Sequence, residues 1–125
     1  MVLNLIHVFL TYIKIHPLTG KIYVGRTSGW VPKITDDYID EVLRKRDAYH
    51  QKNKEGFDAA RLDQFSVESD AIRGQEDIKI DAHKSEGNSA NIYRGISLKN
   101  KKRKQYIMAA IRVFGDLIIT YWLFL

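Results

Sequence analysis

The chain has 125 residues, of which 45% are hydrophobic and 28% charged, with a formal net charge of +5 and no cysteine. That length supports a single domain over 1–125, its core expected at about 10–115. The lack of cysteine excludes disulfides, thiolate metal sites and cysteine nucleophiles, and the positive charge favours polyanionic partners.

Met1–Leu10 is apolar but has neither the cationic start nor the small-residue cleavage site of a signal peptide. Tyr106–Leu125 is as long as a membrane span, but Arg112, Gly115 and Asp116 interrupt it. Both ends are therefore expected as core elements of a soluble fold, with no membrane partner. Leu117–Leu125, the most apolar stretch, would instead suit a homodimer contact or a shallow membrane contact.

Val2–Ile15 is rich in β-branched and aromatic residues, which predicts one long strand or two strands sharing a bend. His16-Pro17-Leu18-Thr19-Gly20 supplies a turn, because Pro sets one backbone angle and Gly accepts positive φ. Lys21–Val24 returns antiparallel, and Gly25-Arg26-Thr27-Ser28-Gly29-Trp30 is expected as a polar loop ending in an exposed aromatic. Thr35-Asp36-Asp37 has N-cap chemistry and an acidic first turn, which predicts a helix over about Asp36–Gln51. Its apolar positions are Ile39, Val42, Leu43 and Tyr49. Arg46 and His50, four residues apart, share the side of Leu43, whereas Arg44 and Lys45 point away.

After the polar break Lys52–Gly56, Phe57–Phe65 is expected as a short helix. Val67–Lys84 is a second helical stretch, in which Ser69, Ile72, Glu76, Ile80 and His83 recur at spacings of three and four. Gly74 within it costs up to about 1 kcal/mol relative to alanine, which suggests either close approach of another element or a helix break. Glu86-Gly87-Asn88-Ser89 is a loop, and Ile92–Ser97 is too short to assign. Lys99, Lys101, Lys102, Arg103 and Lys104 form the densest basic run. Tyr106–Phe114 is a helix ending at Gly115, and Leu117–Leu125 a strand or final helical turn, the two apolar ends pairing with each other.

Tyr12 and Tyr23 stand on the two hairpin strands, where facing tyrosines are ordinary packing. An inward Arg46 needs an anion, which could be the Glu76 carboxylate in a structural ion pair or a phosphate. His7, His16 and His83 show no metal-ligand spacing.

Tyr12, ten intervening residues and then Tyr23-Val24-Gly25 resemble the signature of the GIY-YIG nuclease family, with Leu10-Thr11-Tyr12 standing where Gly-Ile-Tyr is usual. The likeness covers about Thr11–Gly95. It implies an α/β (α+β) fold with a small central antiparallel sheet that opens with a β-hairpin and is flanked by helices. Arg46 matches the family's catalytic arginine, with Arg44 and Arg26 as alternatives, and His50 its histidine four residues later. Glu76 matches the metal-binding glutamate, and Asn91, or Asn88, the asparagine that follows it. The implied activity is phosphodiester hydrolysis, in double-stranded DNA on family grounds, in a cytoplasmic bacterial or phage setting.

On that resemblance Glu76 would hold one Mg²⁺ or Mn²⁺, and Arg46 would stabilise charge on the scissile phosphate. Tyr12 is expected as general base and Tyr23 as a phosphate-positioning group, with His50 as either an alternative base or an orienting group. Arg26, Lys33, Lys99, Lys101, Lys102, Arg103 and Lys104, with Trp30, would grip the phosphate backbone.

Overall fold

The computed structural model describes residues 4–115. They form an α+β domain, a three-stranded antiparallel sheet in the order β2-β1-β3 with three helices. β1 (Ile6–Ile15) and β2 (Ile22–Val31) are the hairpin. Its turn closes with the His16 N–H donating to Lys21 O and the Gly20 N–H to His16 O, both at 2.9 Å. Tyr12 pairs with Gly25 and Lys14 with Tyr23, so the period-two alternation of a strand puts Tyr12, Lys14 and Tyr23 on one face.

β2 does not stop at Val24. The stretch Gly25–Trp30, expected as a loop, continues the strand, with Leu10 opposite Thr27 and His7 opposite Trp30. Its glycines provide clearance rather than a turn. A Cβ on Gly25 would lie 2.5 Å from the Tyr12 hydroxyl oxygen, and one on Gly29 2.9 Å from Val42 Cγ2. Phe57–Phe65, expected as a helix, is also extended at its C-terminal end, where β3 (Arg61–Ser66) pairs antiparallel with the free edge of β1. Asp63 anchors the strand by accepting from Thr11 Oγ1 at 2.8 Å and from Gln75 Nε2 at 3.1 Å.

α1 (Asp36–Asp47) covers one face of the sheet. Thr35 caps it by accepting from the Tyr38 N–H, and Ile39, Val42 and Leu43 pack on Val8, Leu10, Tyr12 and Val31. Fully burying a side chain of the Val, Leu or Ile kind is worth about 1.5–3 kcal/mol, so this cluster is a main source of stability. The helix ends at Asp47 rather than Gln51, and the chain then turns through a short 3-10 helix, Gln51–Glu55. α2 (Ser69–Glu86) covers the other face, burying Ala71, Ile72, Gln75 and Ile80. α3 (Arg103–Phe114) packs against α2 where Gly74 admits the backbone of Tyr106, the close approach that a mid-helix glycine suggested. Among the described residues, no helix is long and apolar enough to cross a membrane. The expectations for Leu117–Leu125, including its pairing with the first residues and the dimer contact, lie outside the described residues.

Candidate functional site

Tyr12 is 1% exposed in the middle of β1, and its hydroxyl lies 3.0 Å from His50 Nε2. His50 caps the 3-10 helix, its Nδ1 accepting the Lys52 N–H at 3.1 Å. A neutral imidazole has one donor and one acceptor nitrogen, so an accepting Nδ1 leaves the proton on Nε2. His50 therefore donates to the Tyr12 oxygen, and the Tyr12 hydroxyl proton is free to point elsewhere. Burial first, then the charges of Arg46 and Lys14, push the His50 pKa down to about 4, which keeps the ring neutral near neutral pH.

Tyr23 completes the cluster, its ring edge-on to His50 at 5.0 Å between centroids and 6.4 Å from that of Tyr12. Burial raises the pKa of both tyrosines, against the lowering effect of Arg46. Both are neutral phenols in the free protein.

The lowered His50 pKa has a consequence for stability. The unfolded ring takes up its proton near 6.5 and the folded one near 4, so the unfolded state binds more protons in between. The contribution of neutral His50 is complete above pH 6.5 and is lost as pH falls toward 4. Urea denaturation at a series of pH values should show the gap between wild type and His50→Gln narrowing across this window. A gap independent of pH would contradict the assignment.

Arg46 does not point into the core as its position on the helix suggested. It sits in the last turn of α1, where the helix is ending, and is exposed. It is still close enough to act electrostatically on Tyr12, Tyr23 and His50. None of the ion pairs among the described residues involves it. His50 is likewise brought in by the turn after α1, not by the helix face.

Glu76, on α2, reaches the same place and acts electrostatically on both tyrosines. Its partner is Arg26, whose Nε donates to Oε1 at 3.2 Å, so the ion pair considered between Arg46 and Glu76 does not form. Burial raises the Glu76 pKa and Arg26 partly offsets it. Asn91 hydrogen-bonds Val24 through both ends of its side-chain amide, at 2.9 Å each, and extends the edge of β2 like a further strand residue. Tyr23, Glu76 and Asn91 line one open cavity of about 590 Å³ together with Lys52, Lys54 and the segment from Ala90 to Gly95. Asn88, the rival for the asparagine, contributes its backbone carbonyl to the Ile22 N–H instead.

Sequence patterns missed the support behind His50. Lys14 is fully buried and pairs with Asp47 while donating to Asn53 Oδ1 at 2.6 Å, and Asn53 Nδ2 donates to the Asp47 carbonyl at 2.6 Å. This network ties the end of α1 to the 3-10 helix and so fixes the turn that carries His50. Burial acts to raise the Asp47 pKa, but hydrogen bonds from Lys14 and the Ala60 N–H outweigh it and hold the carboxyl below its ordinary value. The available signal was parity, since Lys14 alternates with Val8, Leu10 and Tyr12.

Of the basic run, Lys99, Lys101, Lys102 and Lys104 are exposed, as a phosphate-gripping surface requires. Arg103 is committed to an ion pair with the buried Asp77 at 3.1 Å and to Asp81 at 3.5 Å. Arg26, expected on the phosphate backbone, is engaged by Glu76.

Glu76 Oε2 accepts no hydrogen bond from the other described residues, and the carboxylate borders the open cavity. That suits a hard divalent cation taking one protein oxygen and the rest from water and phosphate. Among the described residues no three His, Asp or Glu gather into a metal cage. No family model, curated protein or solved structure matches this chain.

Proposed function

We propose that the chain is a metal-dependent endonuclease of the GIY-YIG type that hydrolyses phosphodiester bonds, with DNA as the preferred substrate. The observation that carries this is the Tyr12–His50–Tyr23 cluster, whose Tyr23 lines one cavity with the Glu76 carboxylate while Arg46 acts electrostatically on both phenols. Arg46 is exposed and enters no ion pair among the described residues, so its guanidinium is available to an incoming anion. A phosphate would supply that anion.

In this function Arg46 binds the scissile phosphate and stabilises the charge that develops on it. Glu76 would hold Mg²⁺ or Mn²⁺, which supplies Lewis-acid stabilisation of the phosphoryl oxygens. Tyr12 orients the attacking water and accepts its proton as a phenolate, a state that becomes accessible only with cations alongside, because burial opposes it in the free protein. His50 stabilises that phenolate by donating from Nε2 and is a positioning residue, not the base. Tyr23 positions the phosphate, and Asn91 holds the strand edge next to Tyr23.

The Arg26–Glu76 ion pair favours one other reading, a catalytically inactive nucleic-acid-binding domain on the same scaffold. Incubating supercoiled plasmid with the protein and Mg²⁺ or Mn²⁺ separates the two. Nicking that EDTA abolishes is expected from the nuclease. Salt-sensitive binding without nicking would assign the binding domain.

A further inference from the structure

The loop between α2 and α3 is firmly held yet presents two large apolar side chains to solvent. The Ile22 N–H donates to Asn88 O and the Ala90 N–H to Ile22 O, both at 2.8 Å. Asn91 is clamped to Val24, and Lys84 Nζ donates to the Asn91 carbonyl at 2.7 Å. Beyond the tip, the Ile96 N–H donates to the buried Asp77 Oδ1 at 2.8 Å. Between these anchors Ile92 and Tyr93 are each 81% exposed.

Both side chains line the cavity that holds Tyr23 and Glu76, together with Lys54 and with Lys52, which pairs with Glu55 at 3.1 Å. Its volume of about 590 Å³ falls within the range of small-ligand sites and exceeds what a phosphate group alone would fill. Lys54, which enters no ion pair among the described residues, complements a phosphate of a nucleic-acid backbone, and the apolar tip complements the face of a base. A phosphate bridged to Glu76 by the divalent cation proposed above would bring its attached nucleoside into the same space.

Given the phosphodiesterase function proposed above, we infer that Ile92 and Tyr93 form a stacking subsite for an unpaired nucleobase next to the scissile phosphate. A base inside a duplex has both faces covered by its neighbours, so it can meet Tyr93 only after leaving the stack. An apolar wedge such as Ile92 lowers the cost of that departure by occupying the gap. The preferred substrate is thus a nucleic acid with an unpaired nucleotide at the cleavage point, rather than a uniform double helix.

Fluorescence anisotropy in EDTA, with labelled single strands, duplexes carrying a one-base bulge and fully paired duplexes, tests this apart from cleavage. Wild type should bind the unpaired forms about tenfold more tightly, the scale of one base–aromatic stack. Tyr93→Ala should remove the difference and Tyr93→Phe should keep it. DNA and RNA versions of each probe identify the sugar. Equal affinity for paired and unpaired probes, or a preference that survives Tyr93→Ala, would overturn the subsite. Metal- and Glu76-dependent nicking of plasmid in that case would leave the nuclease function standing. A Tyr93-dependent preference without such nicking would keep the subsite and remove the nuclease.

Discussion

Replacing Glu76 with alanine is expected to lower metal-dependent nicking by roughly 10³-fold, the several kcal/mol that a bound cation contributes at about 1.36 kcal/mol per decade. Glu76→Gln should do the same, because a neutral amide oxygen is a poor donor to a hard cation. The structural alternative makes a different prediction. If Glu76 served only as the partner of Arg26, then Arg26→Ala and Glu76→Ala would cause matching losses of stability, and the double variant would add nothing further. The ion pair is half open to solvent on the Arg26 side, where such pairs contribute little to stability. Arg26→Ala should therefore leave most of the nicking intact and change the melting temperature only slightly. The pH profile provides a second check. Burial raises the Glu76 pKa above its ordinary 4.5, so the deprotonated, metal-binding form is gained over a range above that value as pH rises. Cation affinity, followed by titration calorimetry, should fall at a higher pH than an exposed carboxylate would give. Nicking by Glu76→Ala at the wild-type rate would remove Glu76 from the site.

The hairpin, the second helix and the glycine-terminated third helix were legible because each rests on local chemistry. Pro17 and Gly20 specify a turn, Ile72, Glu76 and Ile80 recur at helical spacing, and Gly115 ends α3 at φ +60. The misread stretches depend on distant partners. Gly25 and Gly29 look like loop residues until the Tyr12 ring and Val42 are seen to need the space above them. β3 has no strand signature of its own and is extended because β1 has a free edge and Thr11 and Gln75 hold Asp63. At the site, Tyr12, Tyr23 and His50 lie together, but His50 arrives by a turn set by Lys14, Asp47 and Asn53 and not by the helix face that the spacing suggested. No short-range pattern encodes a contact between residues 14 and 53. The Arg26–Glu76 pair is of the same kind, since choosing among several arginines for one glutamate needs the fold itself.

Gly74→Ala is expected to destabilise the protein by about 2 kcal/mol, the usual scale of overpacking, although the same change in an exposed helix interior would stabilise it by up to about 1 kcal/mol. The added methyl would overlap the Tyr106 carbonyl oxygen and lie 3.0 Å from Ala110 Cβ. The obstacle is mainly backbone, so no side-chain rotation relieves it and α3 must move away from α2. That movement reaches the site through charge. α3 carries Arg103, whose guanidinium compensates the fully buried Asp77, and Asp77 holds the Ile96 N–H at the end of the loop that presents Ile92 and Tyr93. A displaced helix leaves the Asp77 carboxylate less well paired in a buried setting, a further cost beyond the steric one. Thermal unfolding should show a drop of several degrees, at about 4 °C per kcal/mol for a domain of this size. Amide hydrogen exchange at Ile96 should accelerate, while that of the hairpin strands changes only through the loss of global stability. A rise in melting temperature, as for an ordinary helical glycine, would show that α2 and α3 do not meet at this position.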